Sequence, residues 1–513
     1  MTAPGAIVDA SREHIPEALT AEVCVVGSGA GGATAAWELA RAGREVVVLE
    51  EGGDFPPERL TEREGEMYDQ LYMERGGRAT SDLGISVLQG RALGGGTVIN
   101  ASDVVPIPDG VLRFWRRRHG LTDFSSEVLA PYRERALRDL SANVPDEDQV
   151  NANNRLLRTG SQALGWRGEV MAHNRVGCAG VGECFIGCPV GAKRNARAVA
   201  IPGALAAGAR VLTRTRVKRI EDATQEMKTL RVRRLDPEGH HEQGADVLVR
   251  AKTVVLAANA IGSAELLLRS GIGNAHVGRH LSLQPQLLIF AHFDHEVRFF
   301  RGIPQAYAVT EFEDLESAEH GWWGFRIESI GATPGIIASR VPLSGAAAKG
   351  FMHDFPNIAA ALLLTPDEPT GTVRVEKSGR LRINYDLGDE QRARLRQAAK
   401  AAARAYLAAG AREVFVPVAP PVVVRTEKEL EAIDGIDFRP ATAALLSAHQ
   451  QGTVRFAPAA RDGGADPDGQ VYGTRGVYVF DSSGFPSSSS SHTMAPIITV
   501  SRYLTDRLLA RRA

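Results

Sequence analysis

This chain has few cysteines, no excess of charge of one sign and no long apolar runs. It has 4 cysteines among 513 residues, and 60 basic residues against 61 acidic ones give a net charge of −1. So few cysteines exclude a disulfide-stapled scaffold. The balanced charge leaves no basic field for nucleic acid or for an anionic membrane. No apolar run approaches the roughly 20 residues that a membrane-spanning helix needs.

The first twenty residues lack the apolar centre of a secretory signal. They carry Asp9, Glu13, His14 and Glu17 instead, and such charged residues do not form the central part of a signal peptide. Together these absences predict a soluble, cytoplasmic, globular protein that binds no nucleic acid and has no membrane span.

A short βαβ unit follows this start. Residues 22–26 and 45–49 are nearly continuous apolar runs, typical of strands buried on both faces, and the Ala-rich residues 33–42 between them predict a helix. The first run leads into the dinucleotide-binding pattern G-x-G-x-x-G.

The glycines of this pattern each have a physical role. Gly27 permits the tight turn, Gly29 lets a pyrophosphate approach the backbone, and Gly32 lets the helix pack closely on the strand. Glu50, after the second strand, can accept hydrogen bonds from a ribose diol. The pattern predicts a bound dinucleotide but leaves the choice between FAD and NAD open.

Beyond residue 210 the alternation of strand and helix is lost. The predicted strands are residues 211–220, 230–234, 247–257, 372–375 and 381–385, and the predicted helices are 263–269 and 389–409. The missing βα alternation after residue 286 favours a mostly antiparallel sheet.

Several stretches of the sequence resemble the signatures of one known family. They are residues 25–32 (VVGSGAGG), 48–52 (VLEEG), 90–100 (GRALGGGTVIN), 255–273, 449–453 (HQQGT), 479–486 (VFDSSGFP) and 492–494 (HTM). Their order resembles that of the glucose–methanol–choline (GMC) oxidoreductases, a family of flavoproteins. The chain is most similar to the long-chain alcohol or sterol oxidase-like branch and to the sugar dehydrogenase branch.

This resemblance implies an α/β fold in which a Rossmann-like FAD-binding domain is interleaved with a substrate domain built on a mostly antiparallel sheet with helices. Residues 1–115, 205–290 and 440–513 would form the FAD-binding domain, whose last part also carries the catalytic residues. Residues 116–204 would form a substrate and Cys-loop insertion, and residues 291–439 the substrate domain.

The resemblance also assigns residues to the cofactor. The loop 90–100 would lie against the flavin, and Val217, at the end of a strand 211–217, against the adenine. The predicted cofactor-binding residues are Gly27, Gly29, Ala30, Gly32, Glu50, Glu51, Arg91, Gly95, Thr97, Asn100, Val217, Ala258, Asp481, Ser482, Thr493 and Met494. Residues 101–103 are Ala-Ser-Asp where some members attach the flavin to a histidine, so FAD is expected to be non-covalent.

His449 and His492 are the predicted catalytic pair, since both match active-site positions of the family. Alcohol oxidation needs a base for the hydroxyl proton, and a neutral imidazole suits this role. His449 is predicted to be the base and His492 to hold the substrate oxygen, although the sequence leaves the two roles exchangeable. His280 is predicted to pack locally, and Gln284 stands where many relatives carry a histidine.

Cys178, Cys184 and Cys188 form a C-x5-C-x3-C pattern in a glycine-rich loop. The spacing resembles the ligands of a three-iron cluster in multi-subunit sugar dehydrogenases. A zinc ion would need a fourth ligand such as His173. The favoured interpretation is a tight structural loop with reduced thiols, so no metal site is assigned.

The predicted function is FAD-dependent oxidation of a primary or secondary alcohol to a carbonyl, with the hydride passing to flavin N5. Apolar residues such as Phe299, Trp323 and Ile336 either line a pocket for a hydrophobic alcohol or fill the core. The alternatives are a dehydrogenase subunit that passes electrons through a Cys-loop cluster to a partner, and a non-oxidative lyase or photodecarboxylase. Oxygen, a quinone or a protein could each accept the electrons.

Overall fold

The computed structural model of the chain describes residues 5–314, 323–489 and 492–511. In these ranges the helices are α1 Ala30–Arg41, α2 Glu64–Leu71, α3 Asp109–His119, α4 Ser126–Asp139, α5 Ala152–Ala163, α6 Ala200–Ala206, α7 Asn259–Ser270, α8 Pro334–Arg340, α9 Gly345–His353, α10 Asp389–Ala408 and α11 Met494–Ala510.

The strands of the same ranges are β1 Ile7–Asp9, β2 Ala18–Val26, β3 Val46–Leu49, β4 Ile85–Val87, β5 Gly168–Val170, β6 Arg210–Thr213, β7 Thr215–Glu221, β8 Lys228–Leu235, β9 Glu242–Leu256, β10 Arg279–Ser282, β11 Gln286–His292, β12 Tyr307–Val309, β13 Glu313–Asp314, β14 Trp323–Gly324, β15 Arg326–Ser329, β16 Ile358–Leu364, β17 Gly371–Val375, β18 Leu381–Asn384, β19 Glu413–Val416, β20 Val422–Val424, β21 Leu445–Ser447, β22 Gln451–Thr453 and β23 Val477–Val479.

The predicted βαβ unit is the centre of a largely parallel sheet. Strands β1, β6, β3, β2 and β9 lie side by side in that order and run parallel, and β23 joins β9 in the same direction. Helix α1 packs on this sheet between β2 and β3. Val25 and Val48 are fully buried, as the continuous apolar runs predict for a sheet covered on both faces.

The strand predicted at residues 211–220 is wrong as a single element. Arg214, at φ +56°, breaks it into β6 and β7, and the side chain of Arg214 turns inward to donate to Gln70 Oε1 at 2.9 Å. Strand β6 is parallel in the sheet, whereas β7 pairs antiparallel with β8. Val217 therefore lies inside β7 and not at the end of a longer strand.

The antiparallel sheet predicted after residue 286 is present. Its strands follow the order β20, β19, β11, β16, β15, β12 and β5, with β21 beside β11. The central strands β11 and β16 are buried along their whole length, and helices α5 and α10 pack on them. Strand β5, from the segment 116–204, pairs with β12, so that segment contributes to the antiparallel sheet. The predicted domain boundaries stay predictions.

Several aromatic residues of the middle segment pack on neighbouring side chains, whereas Trp322 lies outside the described residues. Phe299 packs on Phe355 at 4.8 Å between ring centroids, and Phe312 stacks on Phe325 at 4.7 Å. The Arg394 guanidinium covers the ring of Trp323. Neither these aromatic rings nor the side chain of Ile336 lines the large cavity described below. Of the two predicted roles, packing therefore describes them better than lining a substrate pocket. No helix in the described ranges is long and apolar enough to cross a membrane.

Candidate active site

A cavity of about 980 Å³ lies at the carboxyl ends of β2, β3 and β9, where α/β sheets bind their ligands. Its wall contains every predicted cofactor-binding residue except Gly32, together with both predicted catalytic histidines. Gly32 lies behind the wall, where a Cβ atom would stand 2.0 Å from the carbonyl oxygen of Gly27. Its absence from the wall agrees with the packing role that the motif assigns to it.

The glycines of the first loop are required by close backbone approach. Gly27 has φ +94°, and a Cβ atom there would lie 2.4 Å from the carbonyl oxygen of Ala257. At Gly95, φ is +56° and a Cβ atom would lie 2.7 Å from Gly29 Cα. The two glycine-rich loops therefore touch through their backbones and form one smooth cradle that any side chain would fill.

Glu50 is held rigidly at the end of β3. Its carboxylate accepts hydrogen bonds from the Ser28 amide at 2.9 Å, the Ser28 hydroxyl at 2.6 Å and the Gly52 amide at 2.7 Å. Burial raises the pKa of Glu50, against the effect of these donors. The Ser28 hydroxyl also accepts from the Gly94 amide at 3.0 Å. Glu50 thus organises both glycine-rich loops, a role that the motif alone does not reveal.

Asp481 has a similar organising role elsewhere on the cavity wall. Its carboxylate accepts from the Ser263 hydroxyl at 2.6 Å and from the Ser483 amide at 2.8 Å. The Ser263 hydroxyl in turn accepts from the Ala258 amide at 3.1 Å. Burial raises the pKa of Asp481. This network fixes the N-terminal end of α7, where unpaired N–H groups suit phosphate.

Glu51 forms an ion pair that the sequence did not indicate. Arg216, on β7, donates to Glu51 at 2.8 Å beside Val217. Arg91 lines the same end of the cavity, and its buried Nε has no hydrogen-bond partner. This end therefore offers guanidinium groups and an apolar side chain to a ligand.

His449 lies where the chain passes from β21 to β22, and it is nine-tenths buried. Its Nδ1 lies 2.6 Å from Gln284 Oε1 and 3.0 Å from Gln286 Nε2. In the tautomer that donates from Nδ1 to Gln284, the lone pair of Nε2 is left for a proton. Burial, and then the charge on His492, lower the pKa of His449 to about 3, against an opposing effect of Glu328.

His492 lies just before α11 and faces a buried carboxylate. Its Nε2 is 3.0 and 3.1 Å from the two oxygens of Glu328 on β15. Burial alone lowers the pKa of an imidazole, but Glu328 outweighs it and raises the pKa of His492. The pKa of Glu328, which burial alone would raise, is held at about 2 by His492 and Arg326. These shifts favour an imidazolium at His492 beside a carboxylate at Glu328.

The two imidazoles meet at the cavity wall. Their ring centroids are 5.2 Å apart and their planes are nearly perpendicular, at 78°. A neutral ring and a cationic ring thus stand side by side, so one can accept a proton while the other stabilises a developing negative charge.

Glu328 is the functional residue that sequence reasoning missed. It is fully buried, 164 residues before His492, and no local motif distinguishes it from other acidic residues. Gln284 was the one position where the sequence pointed to these surroundings, because it stands where many relatives carry a histidine. In the structure it contacts His449. His280 instead contacts His276 at 2.9 Å outside the cavity, which agrees with its predicted local packing.

The three cysteines do not assemble a metal site. In the part of the chain that the structure describes, no three His, Cys, Asp or Glu side chains converge so as to hold a metal ion. Cys178 lines a separate cavity of about 280 Å³ with His173, and His173 bonds to Asp103 at 2.8 Å. The residues therefore fit neither the iron–sulfur nor the zinc alternative.

Comparison with known proteins decides the family. The family model for GMC oxidoreductases matches residues 68–286 and 366–501, and the model for NAD(P)-binding Rossmann-like domains matches residues 25–69. An uncharacterized GMC-type oxidoreductase of Mycobacterium tuberculosis is 34% identical over 97% of this chain and 77% of its own. The chain belongs to the GMC oxidoreductase family. The resemblance seen in the sequence is thereby confirmed.

Other GMC proteins share less sequence. The long-chain-alcohol oxidase FAO3 of Arabidopsis thaliana is 26% identical over 97% of this chain and 69% of its own. The crystal structure of pyridoxine 4-oxidase from Mesorbium loti superposes with a TM-score of 0.71 at 17% identity, over 96% of this chain and 99% of that one. Formate oxidase gives a TM-score of 0.69 at 14% identity, over 97% and 99%. These two structures confirm the fold.

The cavity of this GMC chain fits a flavin dinucleotide. The cradle of Gly29 and Gly95 admits a flat ring at backbone distance, and the N-terminal end of α1 beside Gly29 offers N–H groups to phosphate. The carboxylate of Glu50, which bonds to Ser28 beside Gly29, and the unpartnered Nε of Arg91 line the same cavity. A dinucleotide needs all of these features along one continuous cavity.

Proposed function

We propose that this protein is an FAD-dependent oxidoreductase that oxidises an alcohol to a carbonyl compound, with FAD bound non-covalently. The observation that carries this proposal is the placement of His449 and His492 side by side at the wall of a dinucleotide-sized cavity. His449 contacts a glutamine amide and His492 a buried carboxylate. FAD, when bound, supplies the acceptor for the hydride of the substrate.

His449 is the proposed base. In the tautomer whose Nδ1 donates to Gln284, Nε2 can take the hydroxyl proton of the alcohol. Removal from water keeps the ring neutral in the resting enzyme, as its low pKa indicates. A base that is already neutral needs no prior deprotonation at ordinary pH.

His492 is proposed to bind the substrate oxygen. Held as an imidazolium by Glu328, it offers positive charge where the alcohol oxygen becomes negative. Its fixed charge also disfavours a second proton on the resting His449. The assignment gives each ring one role, which agrees with the roles predicted from the sequence.

The proposed substrate is a hydrophobic primary alcohol and the proposed electron acceptor is oxygen. Long-chain-alcohol oxidases match this chain over nearly its whole length, and this supports both choices. The iron–sulfur alternative is not carried forward, because the described cysteines form no three-ligand group.

An anaerobic screen tests the proposal. Holoenzyme is mixed with primary alcohols from ethanol to 1-dodecanol, and the absorbance of oxidised flavin is followed before and after air is admitted. We expect the longer alcohols to bleach the flavin, and air to restore the absorbance with formation of hydrogen peroxide. Flavin absorbance that no alcohol changes would refute alcohol oxidation, and recovery only with a quinone would refute oxygen as the acceptor.

A further inference from the structure

Two buried cationic side chains lie behind the loop 98–101, which separates them from the cavity. The Lys193 ammonium donates to the carbonyl oxygens of Val98 at 2.9 Å, Asn100 at 2.6 Å and Cys184 at 2.8 Å. Lys193 is only 3% exposed. Asn100 itself lines the cavity, so a single layer of backbone divides the ammonium from a ligand.

Arg175 is the second cation. It faces Lys193 across an isolated backbone bridge, and its Nη2 donates to the carbonyl oxygen of Ala101. Nε and Nη1 of Arg175 are buried and have no hydrogen-bond partner. The two cations thus hold three carbonyl groups of the loop 98–101.

Neither cation forms an ion pair with a described carboxylate. Burial lowers the pKa of Lys193, whereas Cys184 and Cys188 raise it and Asp103 raises it less. The Asp103 carboxylate itself bonds to His173 at 2.8 Å. Buried charge without a counter-charge is costly. Two such charges beside one cavity would be offset by an anion that forms inside it.

The proposed reaction produces such an anion. An alcohol would give up a proton to His449 and a hydride to the flavin, and gain of that hydride would turn the neutral flavin ring into an anionic reduced ring. Charge near the flavin ring tunes this equilibrium. The neutral oxidised state gains less from a nearby cation than the anionic reduced state does.

We propose that Lys193 and Arg175 are positioning residues that act through the loop 98–101 to stabilise the anionic reduced flavin and so raise its reduction potential. The proposal rests on the FAD of the proposed function. It also explains the three-cysteine loop, which supplies the Cys184 carbonyl as the third acceptor of Lys193 and covers the ammonium from solvent.

The midpoint potential of the flavin in Lys193→Met holoenzyme tests this proposal. It is measured at pH 7 by equilibration with a reference dye. Burial lowers the pKa of Lys193 only to about 8, so the wild-type side chain is charged at that pH. We expect the reduction equilibrium constant to fall at least tenfold, which is about 30 mV for a two-electron couple. Lys193→Arg should stay close to wild type.

Lys228→Met is the matched control. Lys228 is 1% exposed and also donates to three backbone carbonyls, those of Glu226, Lys252 and Arg475, but none of these three residues lines the cavity, as Asn100 does. The control loses the same buried cation elsewhere and should keep the wild-type potential. An unchanged potential in Lys193→Met, or an equal fall in both variants, would overturn the proposal.

Sulfite binding gives a second measure that needs no alcohol. Sulfite adds to flavin N5 and leaves negative charge on the ring, so its dissociation constant should rise at least tenfold in Lys193→Met and stay unchanged in Lys228→Met. Should Lys193→Met fail to retain FAD, Arg175→Gln is measured in the same two assays, and wild-type values there would refute the proposal. Alcohol oxidation is assayed separately. If the protein oxidises no alcohol, the midpoint potential and the sulfite dissociation constant still test the role of Lys193.

Discussion

His449 and His492 have very different surroundings, although their ring centroids are only 5.2 Å apart. Uncharged amides of Gln284 and Gln286 surround the first ring, whereas the second faces the carboxylate of Glu328. Burial therefore keeps the first ring neutral, and the carboxylate keeps the second charged. The difference teaches that neighbours, and not residue type, decide what an imidazole can do.

Removal of the neutral ring should have the largest effect. We expect His449→Ala to slow flavin reduction by an alcohol by about 10²–10⁴-fold, the usual contribution of a general base, while FAD stays bound. Stopped-flow absorbance measures the rate, and flavin fluorescence after filtration measures retention. His292→Ala, which changes a buried histidine outside the cavity, should react at the wild-type rate. A wild-type rate in His449→Ala would remove His449 as the base.

Removal of the Glu328 carboxylate should make the surroundings of His492 resemble those of His449. We expect Glu328→Gln to slow flavin reduction by roughly tenfold to a hundredfold, from the loss of a charged hydrogen bond of about 1.5–3 kcal/mol. Glu313→Gln is the control, because Glu313 and Glu328 both pair with Arg326 and Glu328 is the one that bonds to His492.

The same variant should shift the pH dependence. Burial lowers the pKa of His492, but Glu328 outweighs burial and raises it, with a smaller contribution from Asp103 and an opposing one from Arg326. His449 stands beside His492, with 5.2 Å between the ring centroids. The reactive, protonated His492 is thus lost as pH rises through this raised pKa. In Glu328→Gln the loss should begin at lower pH than in wild type. An unmoved alkaline limb would show that another group titrates there.

A carboxylate placed beside His449 should make the two rings alike. We expect Gln284→Glu to raise the pKa of His449 from about 3 by roughly 1–3 units. The base then becomes protonated as pH falls into the mildly acidic range, so the acid limb of the rate profile moves upward by that amount. Gln391→Glu, buried elsewhere against Thr365, should leave the acid limb in place. A rate profile that Gln284→Glu leaves unchanged would contradict the environment assigned to His449.

Loss of the proposed ribose contact of Glu50 should change neither the acid limb nor the alkaline limb of the pH–rate profile. We expect Glu50→Ala to weaken FAD binding by about tenfold, the effect of one charged hydrogen bond, while both pH limbs stay where they are in FAD-saturated enzyme. Glu38→Gln changes a buried acid of α1 outside the cavity and should bind FAD normally. Equal affinity in Glu50→Ala and wild type would assign the ribose contact to another residue.

Much of the fold was predictable because its signals are local. The apolar runs of β2 and β3 and the glycine pattern between them lie within about thirty neighbouring residues, and sterics alone demand glycine at Gly27. The strand around Arg214 was mispredicted for the opposite reason. Its residues suit a strand throughout, and the break is accompanied by tertiary contacts of the Arg214 side chain with Gln70 and with the carbonyl oxygen of Glu238.

The sequence by itself determined the family, the βαβ unit, the dinucleotide pattern and the histidine pair, since these depend on residue types at short, regular spacings. Only the tertiary structure decided which imidazole is charged. Glu328 reaches His492 from a strand of the other sheet, 164 residues away along the chain, and Gln284 reaches His449 across 165 residues. A pKa depends on burial and on charges a few ångströms away, and those are set when the chain folds.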